Sequence, residues 1–90
     1  MNRTTPTHRQ YLAIKREIPF GTILLFRSGP NYRTFEEYDE NTLFIPVGKI
    51  GEEVNRLVSE GYSVALADYA EDPSPGRLTR REITRIFSPA

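Results

Sequence analysis

Two short runs, residues 22–28 (TILLFRS) and 62–69 (YSVALADY), are apolar on both of the faces between which an extended chain alternates. A half-solvated strand alternates apolar and polar residues, whereas a run that is apolar on both sides marks an interior strand. The rest of the chain must therefore supply cover and neighbouring strands. Thr5-Pro6 reads as a helix start, with Thr as N-cap and Pro at the first helical position. Tyr11, Ile14 and Ile18, with Leu12 beside them, then form one apolar helical face, and Pro19 and Gly21 end it. Gly29-Pro30-Asn31 is turn chemistry, from which 32–37 returns as an antiparallel partner. A second turn at Asp39-Glu40-Asn41 leads to a third strand over 43–47, which Gly48 breaks.

Ile50, Val54, Leu57 and Val58 fall on one helical face, so 50–60 is read as an amphipathic helix closed by Gly61 in the left-handed cap position. Strand, helix and strand in that order predict a right-handed parallel crossover. Residues 70–79 form a Pro- and Gly-containing loop, and 80–87 a last strand whose broken pattern suits an edge. The sum is an α/β fold: a mixed sheet of about five strands with two helices. Ninety residues and the lack of any long linker make 1–90 one domain.

Composition excludes several functions. With 38% hydrophobic and 27% charged residues and no low-complexity run, the chain is expected to fold. The absence of cysteine rules out a disulfide scaffold, a thiolate zinc site and a cysteine nucleophile. A single histidine, His8, argues against a His-based metal site or a Ser-His-Asp triad. Glu36, Glu37, Asp39 and Glu40 alternate faces beside a turn and are read as solvated acids rather than metal ligands. No G-x-x-x-x-G-K-[ST] loop is present, so no nucleotide is expected as a partner. No run approaches the length of a membrane span and residues 1–7 lack an apolar signal core, so the expectation is a cytoplasmic protein without membrane contact or cofactor.

Charge sums to zero but is unevenly spread. Residues 1–35 carry Arg3, Arg9, Lys15, Arg16, Arg27 and Arg33 against Glu17; residues 73–90 carry Arg77, Arg80, Arg81 and Arg85 against Glu82. The segment between them is strongly acidic. If the two ends meet in the fold, one face is basic and the opposite one acidic, which permits phosphate contact on one side.

Five motifs, read in order, resemble the amino-terminal domain of the MutS mismatch-repair family over residues 7–89. They are Gln10-Tyr11-Leu12-Ala13-Ile14-Lys15; Leu24-Leu25-Phe26-Arg27-Ser28-Gly29; Leu57-Val58-Ser59-Glu60-Gly61-Tyr62-Ser63-Val64-Ala65; Glu71-Asp72-Pro73; and Arg81-Glu82-Ile83-Thr84-Arg85-Ile86-Phe87-Ser88-Pro89. The resemblance implies a MutS domain I-like fold, free-standing and without an ATPase, that is not an enzyme. In the family, a Phe-x-Glu motif follows the second of these; its Phe wedges beside a mismatched base and its Glu hydrogen-bonds that base. Here the wedge position is Asn31 and the carboxylate position Arg33, with Tyr32 between. Asn brings neither the stacking nor the burial that offsets unstacking a base step, and Arg cannot accept a hydrogen bond, although it can pair with phosphate. The chain also crosses from Phe35 to Thr42 in eight residues, where the family carries a longer segment.

The resemblance and the basic ends together nominate Arg27, Asn31, Tyr32, Arg33, Arg77, Arg80 and Arg81 as candidate DNA contacts. Arg85 extends that cluster, and strand alternation places Arg81 and Arg85 on one face with Arg80 on the other. Asp68, inside an apolar strand, is the acid to examine for burial. Two partners are in view: double-stranded or distorted DNA held through its backbone, or another protein docking on a domain that has lost DNA binding.

Overall fold

A computed structural model describes residues 5–34 and 44–89. The expected turn at 39–41 and the short crossing at 35–42 lie outside the described residues. Along the chain run α1 (Pro6–Lys15), β1 (Ile23–Ser28), β2 (Asn31–Arg33), β3 (Phe44–Pro46), a 3-10 turn (Val47–Lys49), α2 (Ile50–Ser59), β4 (Val64–Tyr69) and β5 (Arg81–Phe87). The described strands form one sheet in the order β3-β2-β1-β4-β5. β1 and β4 lie at its centre and pair in parallel, while β2, β3 and β5 pair antiparallel to their neighbours. This is the expected α/β architecture with a mixed sheet. β3 and β4 run in the same direction, as a strand–helix–strand unit requires, but they are not neighbours: the α2 connection passes β2 and β1 to place β4 beside β1.

The two-sided apolar runs follow from helices on both faces. Tyr11, Ile14 and Ile18 pack on Leu24, Phe26, Ala65 and Ala67. On the opposite face, Val54 and Leu57 pack with Leu25, Tyr32, Ile45, Val64 and Leu66. Alternate residues of β1 and β4 thus serve separate clusters, and full burial of each large apolar side chain contributes roughly 1.5–3 kcal/mol. Tyr11 meets the Phe26 ring edge-on, centroids 5.8 Å apart.

Local signals set the helix ends. Thr5 Oγ1 accepts the His8 amide at 3.1 Å, with Pro6 following as the first helical residue. The helix closes at Lys15, four residues before Pro19, whose ring would clash with the Lys15 carbonyl and which lacks the amide to bond it in a continued helix; Ile18 still reaches the core from the ensuing turn. α2 ends with Gly61 at φ +98. The Tyr62 amide donates to the Leu57 carbonyl and that of Gly61 to Val58, both at 3.0 Å, which is the Schellman pattern.

One irregularity alters the surface. Leu66 pairs with Arg85 and Ala67 with Ile83, leaving Thr84 as an extra residue in β5. Its hydroxyl donates to the Leu66 carbonyl at 3.3 Å. A bulge of this kind reverses the alternation beyond it. The expectation that Arg81 and Arg85 share a face is therefore corrected. Arg81 stacks on Phe26, on the α1 side, while Arg85 stacks on Phe87, which packs against the α2-side cluster.

Candidate nucleic-acid interface

The β1–β2 hairpin turns through Gly29 and Pro30, with Ser28 opposite Asn31. Gly29 has φ +61, and a Cβ there would meet nothing within 4 Å. Backbone conformation, not space, therefore selects glycine at the first central position of this tight turn.

The turn is fastened to the sheet by side chains of β1, β2 and β4. Asp68 Oδ1 accepts Arg27 Nη1 at 3.0 Å and the Tyr69 amide at 2.7 Å, and its Oδ2 accepts the Tyr32 hydroxyl at 2.8 Å. Arg27 Nε donates to the Gly29 carbonyl at 2.7 Å, while the Gly29 amide donates to the Tyr69 hydroxyl at 2.6 Å. Gly29 is thus held at both of its backbone polar groups. Burial, reinforced by the hydrogen bond to Asp68 and its charge, raises the Tyr32 hydroxyl above its ordinary value of 10.0, with Arg27 opposing.

Around these bonds, arginines and aromatic rings alternate. The Arg27 guanidinium lies 5.7 Å from the centroid of Tyr32 and 5.2 Å from that of Tyr69; Arg81 lies 4.9 Å from Tyr69 and 4.5 Å from Phe26. Arg81 also donates through Nε to the Arg27 carbonyl at 2.9 Å and through Nη1 to the Thr79 carbonyl at 3.0 Å. Gln10 of α1 completes the junction. Its Oε1 accepts the Arg81 amide at 2.6 Å, and its Nε2 donates to the Thr79 carbonyl at 3.1 Å. The two basic ends of the chain do meet, at Gln10.

The seven candidates are consequently not equivalent. Tyr32 is buried at 5% exposure and turned inward. Arg27 and Arg81 spend their donors on the fold. Asn31 and Arg33 flank Tyr32 on β2 and are half-buried; Arg33 stacks on Phe44 at 4.8 Å. Arg77 lies 3.9 Å from Glu71, and Arg80 lies 3.6 Å from Glu82 while its amide donates to Glu71 at 3.1 Å. Acidic groups therefore stand among these arginines rather than on the far side of the sheet. Tyr69 and Gln10 were not nominated from sequence, and Asp68 was singled out only for burial. Its sequence signal, a carboxylate inside an otherwise apolar strand, shows only that a partner is required. Among the described residues, no group of three potential His, Asp or Glu ligands converges, and no helix is long and apolar enough to cross a membrane.

The arrangement defines a class first: a small α/β fold with a five-stranded mixed sheet whose β1–β2 turn is fastened to the sheet by side chains. Residues 39–90 match the family model described as MutS domain I, and the chain belongs to that family. It is 35% identical to the DNA mismatch repair protein MutS of Thermotoga petrophila and to that of Thermotoga maritima, over 97% of this chain and 13% of each relative. The MutS of Methanothrix thermoacetophila is 34% identical over 99% of this chain and 13% of its own length. The chain thus spans about 13% of the length of these curated relatives. The aligned stretch with the Thermotoga proteins, 104 positions, exceeds the 90 residues of the whole chain, so those relatives hold positions with no counterpart here.

Proposed function

We propose that this domain is a non-catalytic DNA-binding module that contacts the duplex backbone around the β1–β2 hairpin and does not insert a wedge. The observation that carries the reading is the fastening of the Gly29–Pro30 turn through Asp68 and Tyr69. A preformed tip binds without an ordering cost, and membership of the MutS domain I family supports DNA as its partner. Asn31 and Arg33 stand where the family resemblance places the wedge and the carboxylate, so matched and mismatched duplexes bind alike. Of the seven candidates, Asn31, Arg33, Arg77 and Arg80 are the ones to reach phosphate, in a cytoplasmic setting without cofactor or nucleotide.

Fluorescence anisotropy with homoduplex, mismatched and branched DNA tests this. Binding that weakens steeply as salt rises, with affinities for matched and mismatched duplex within a factor of about three, is expected for backbone contact. A clear preference for the mismatch removes the wedge-free part, and no binding at low salt and micromolar protein removes the whole. A second reading, a protein-docking module, is favoured by the acids Asp68, Glu71 and Glu82 among the arginines. Recovery of a specific protein partner by a domain that fails to bind DNA would select it.

A further inference from the structure

The outer face of α1 was not among the nominated contacts. Arg9, Ala13 and Arg16 are all exposed, and their i, i+4, i+7 spacing stacks them along one side of the helix. Arg9 and Arg16 are then about 10 Å apart, with a methyl group between them. Helix α1 contains no acid, and among the described residues neither arginine has an ion-pair partner. Lys15 differs, because its Nζ is held by the Thr22 carbonyl at 2.6 Å.

The fold gives no reason for Arg9. It lies in the first turn, where the helix dipole disfavours a cation, and among the described residues its side chain has no hydrogen-bond partner. It is also next to Gln10, which bonds the Arg81 amide. The N-terminal end of α1 therefore lies at the hairpin end of the sheet, and the face leads from that end towards Arg16. Ala13 leaves room for a polyanion to approach both charges.

We infer that Arg9 and Arg16 form a phosphate-contacting stripe on which the backbone of duplex DNA lies, with the hairpin end as its neighbour. This rests on the DNA-binding reading above and adds a surface to it. α1, rather than the hairpin arginines Arg27 and Arg81, supplies the unpaired positive charge.

The test is the salt dependence of binding to a short labelled duplex, for the whole chain and for Arg9→Gln/Arg16→Gln. Each lost phosphate contact lowers the slope of log K against log salt by about 0.9, so the double variant should lose about 1.8. Its melting temperature should stay within about 2–4 °C of the parent. Arg9→Lys/Arg16→Lys should keep the slope, since lysine serves phosphate as a point charge. A parent that binds and a Gln variant with unchanged slope overturn the stripe while leaving the DNA reading intact. A slope lost in the Lys variant also overturns it. A parent that binds no duplex overturns both, and in that case Arg9- and Arg16-dependent binding to polyglutamate would mark the face as one for acidic protein.

Discussion

The hairpin end of the sheet and the outer face of α1 carry the same residue type to opposite ends. At the hairpin, Arg27 and Arg81 lie between aromatic rings and donate to Asp68 and to backbone carbonyls. Arg9 on α1 and Arg16 at its C-cap face solvent, with Glu17 the one acid beside them in sequence. Position in the fold, not residue identity, decides whether a cation is available to a partner. A guanidinium whose donors are satisfied internally must break those bonds before it can serve phosphate, whereas an exposed one loses only water and counterions. Arg81, which lies inside the richest arginine cluster in the sequence, is thus a poor source of free charge.

The largest effect that separates the two regions comes from the floor of the hairpin junction. Phe26 is fully buried, receives Arg81 on one side and meets the edge of Tyr11. Phe26→Ala is expected to destabilise the domain by roughly 3–5 kcal/mol in urea unfolding; a loss below 1 kcal/mol would show that the junction is not part of the cooperative core. Next comes Asp68→Ala, which strands Arg27 and Tyr32. With side-chain exposures of 25% for Arg27 and 31% for Asp68, solvent screens part of the pair, and a loss of about 1–2 kcal/mol is expected. Hydrogen exchange at the Gly29 amide should quicken in the same variant, because Asp68 orients Arg27, which holds the Gly29 carbonyl; unchanged exchange would separate the carboxylate from the turn.

Alkaline titration gives a smaller, signed effect. The Tyr32 hydroxyl titrates above 10.0 in the fold, so the folded state holds its proton where the unfolded chain has already lost it. The stabilisation is present below pH 10 and disappears as pH rises through the folded value. Stability measured from pH 9 upward should therefore fall, and Tyr32→Phe should flatten that fall; equal slopes would contradict the assignment. The smallest effect belongs to Phe20, which is wholly exposed in the turn after α1. Phe20→Ser should change stability by no more than about 0.5 kcal/mol, and a larger loss would reveal a packing role that its exposure denies.

The sequence carried much of the frame and little of the junction. Thr5-Pro6 and Gly61 mark helix ends through strictly local chemistry, so both were legible. The two-sided apolar runs identified β1 and β4 as interior strands because helices cover both faces. The faces of Arg81 and Arg85 were misjudged, since a period of two cannot anticipate a bulge at Thr84. Tyr69 and Gln10 escaped for a related reason. Their partners are Gly29, 40 residues away, and Arg81, 71 residues away, and only strand order brings them together. Arg27 and Arg81, nominated as DNA contacts, hid their place in the junction for the same reason: the rings that sandwich them come from other strands.

The division between fold-holding and partner-facing arginines is tested most directly by thermal unfolding of four single variants, Arg27→Gln, Arg81→Gln, Arg9→Gln and Arg16→Gln. Loss of hydrogen bonds and stacking at the hairpin is worth about 1–2 kcal/mol, so the first two should melt roughly 4–16 °C lower. The α1 variants should melt within about 2–4 °C of the parent. Equal losses at all four positions, or losses at Arg9 and Arg16 alone, would contradict the account.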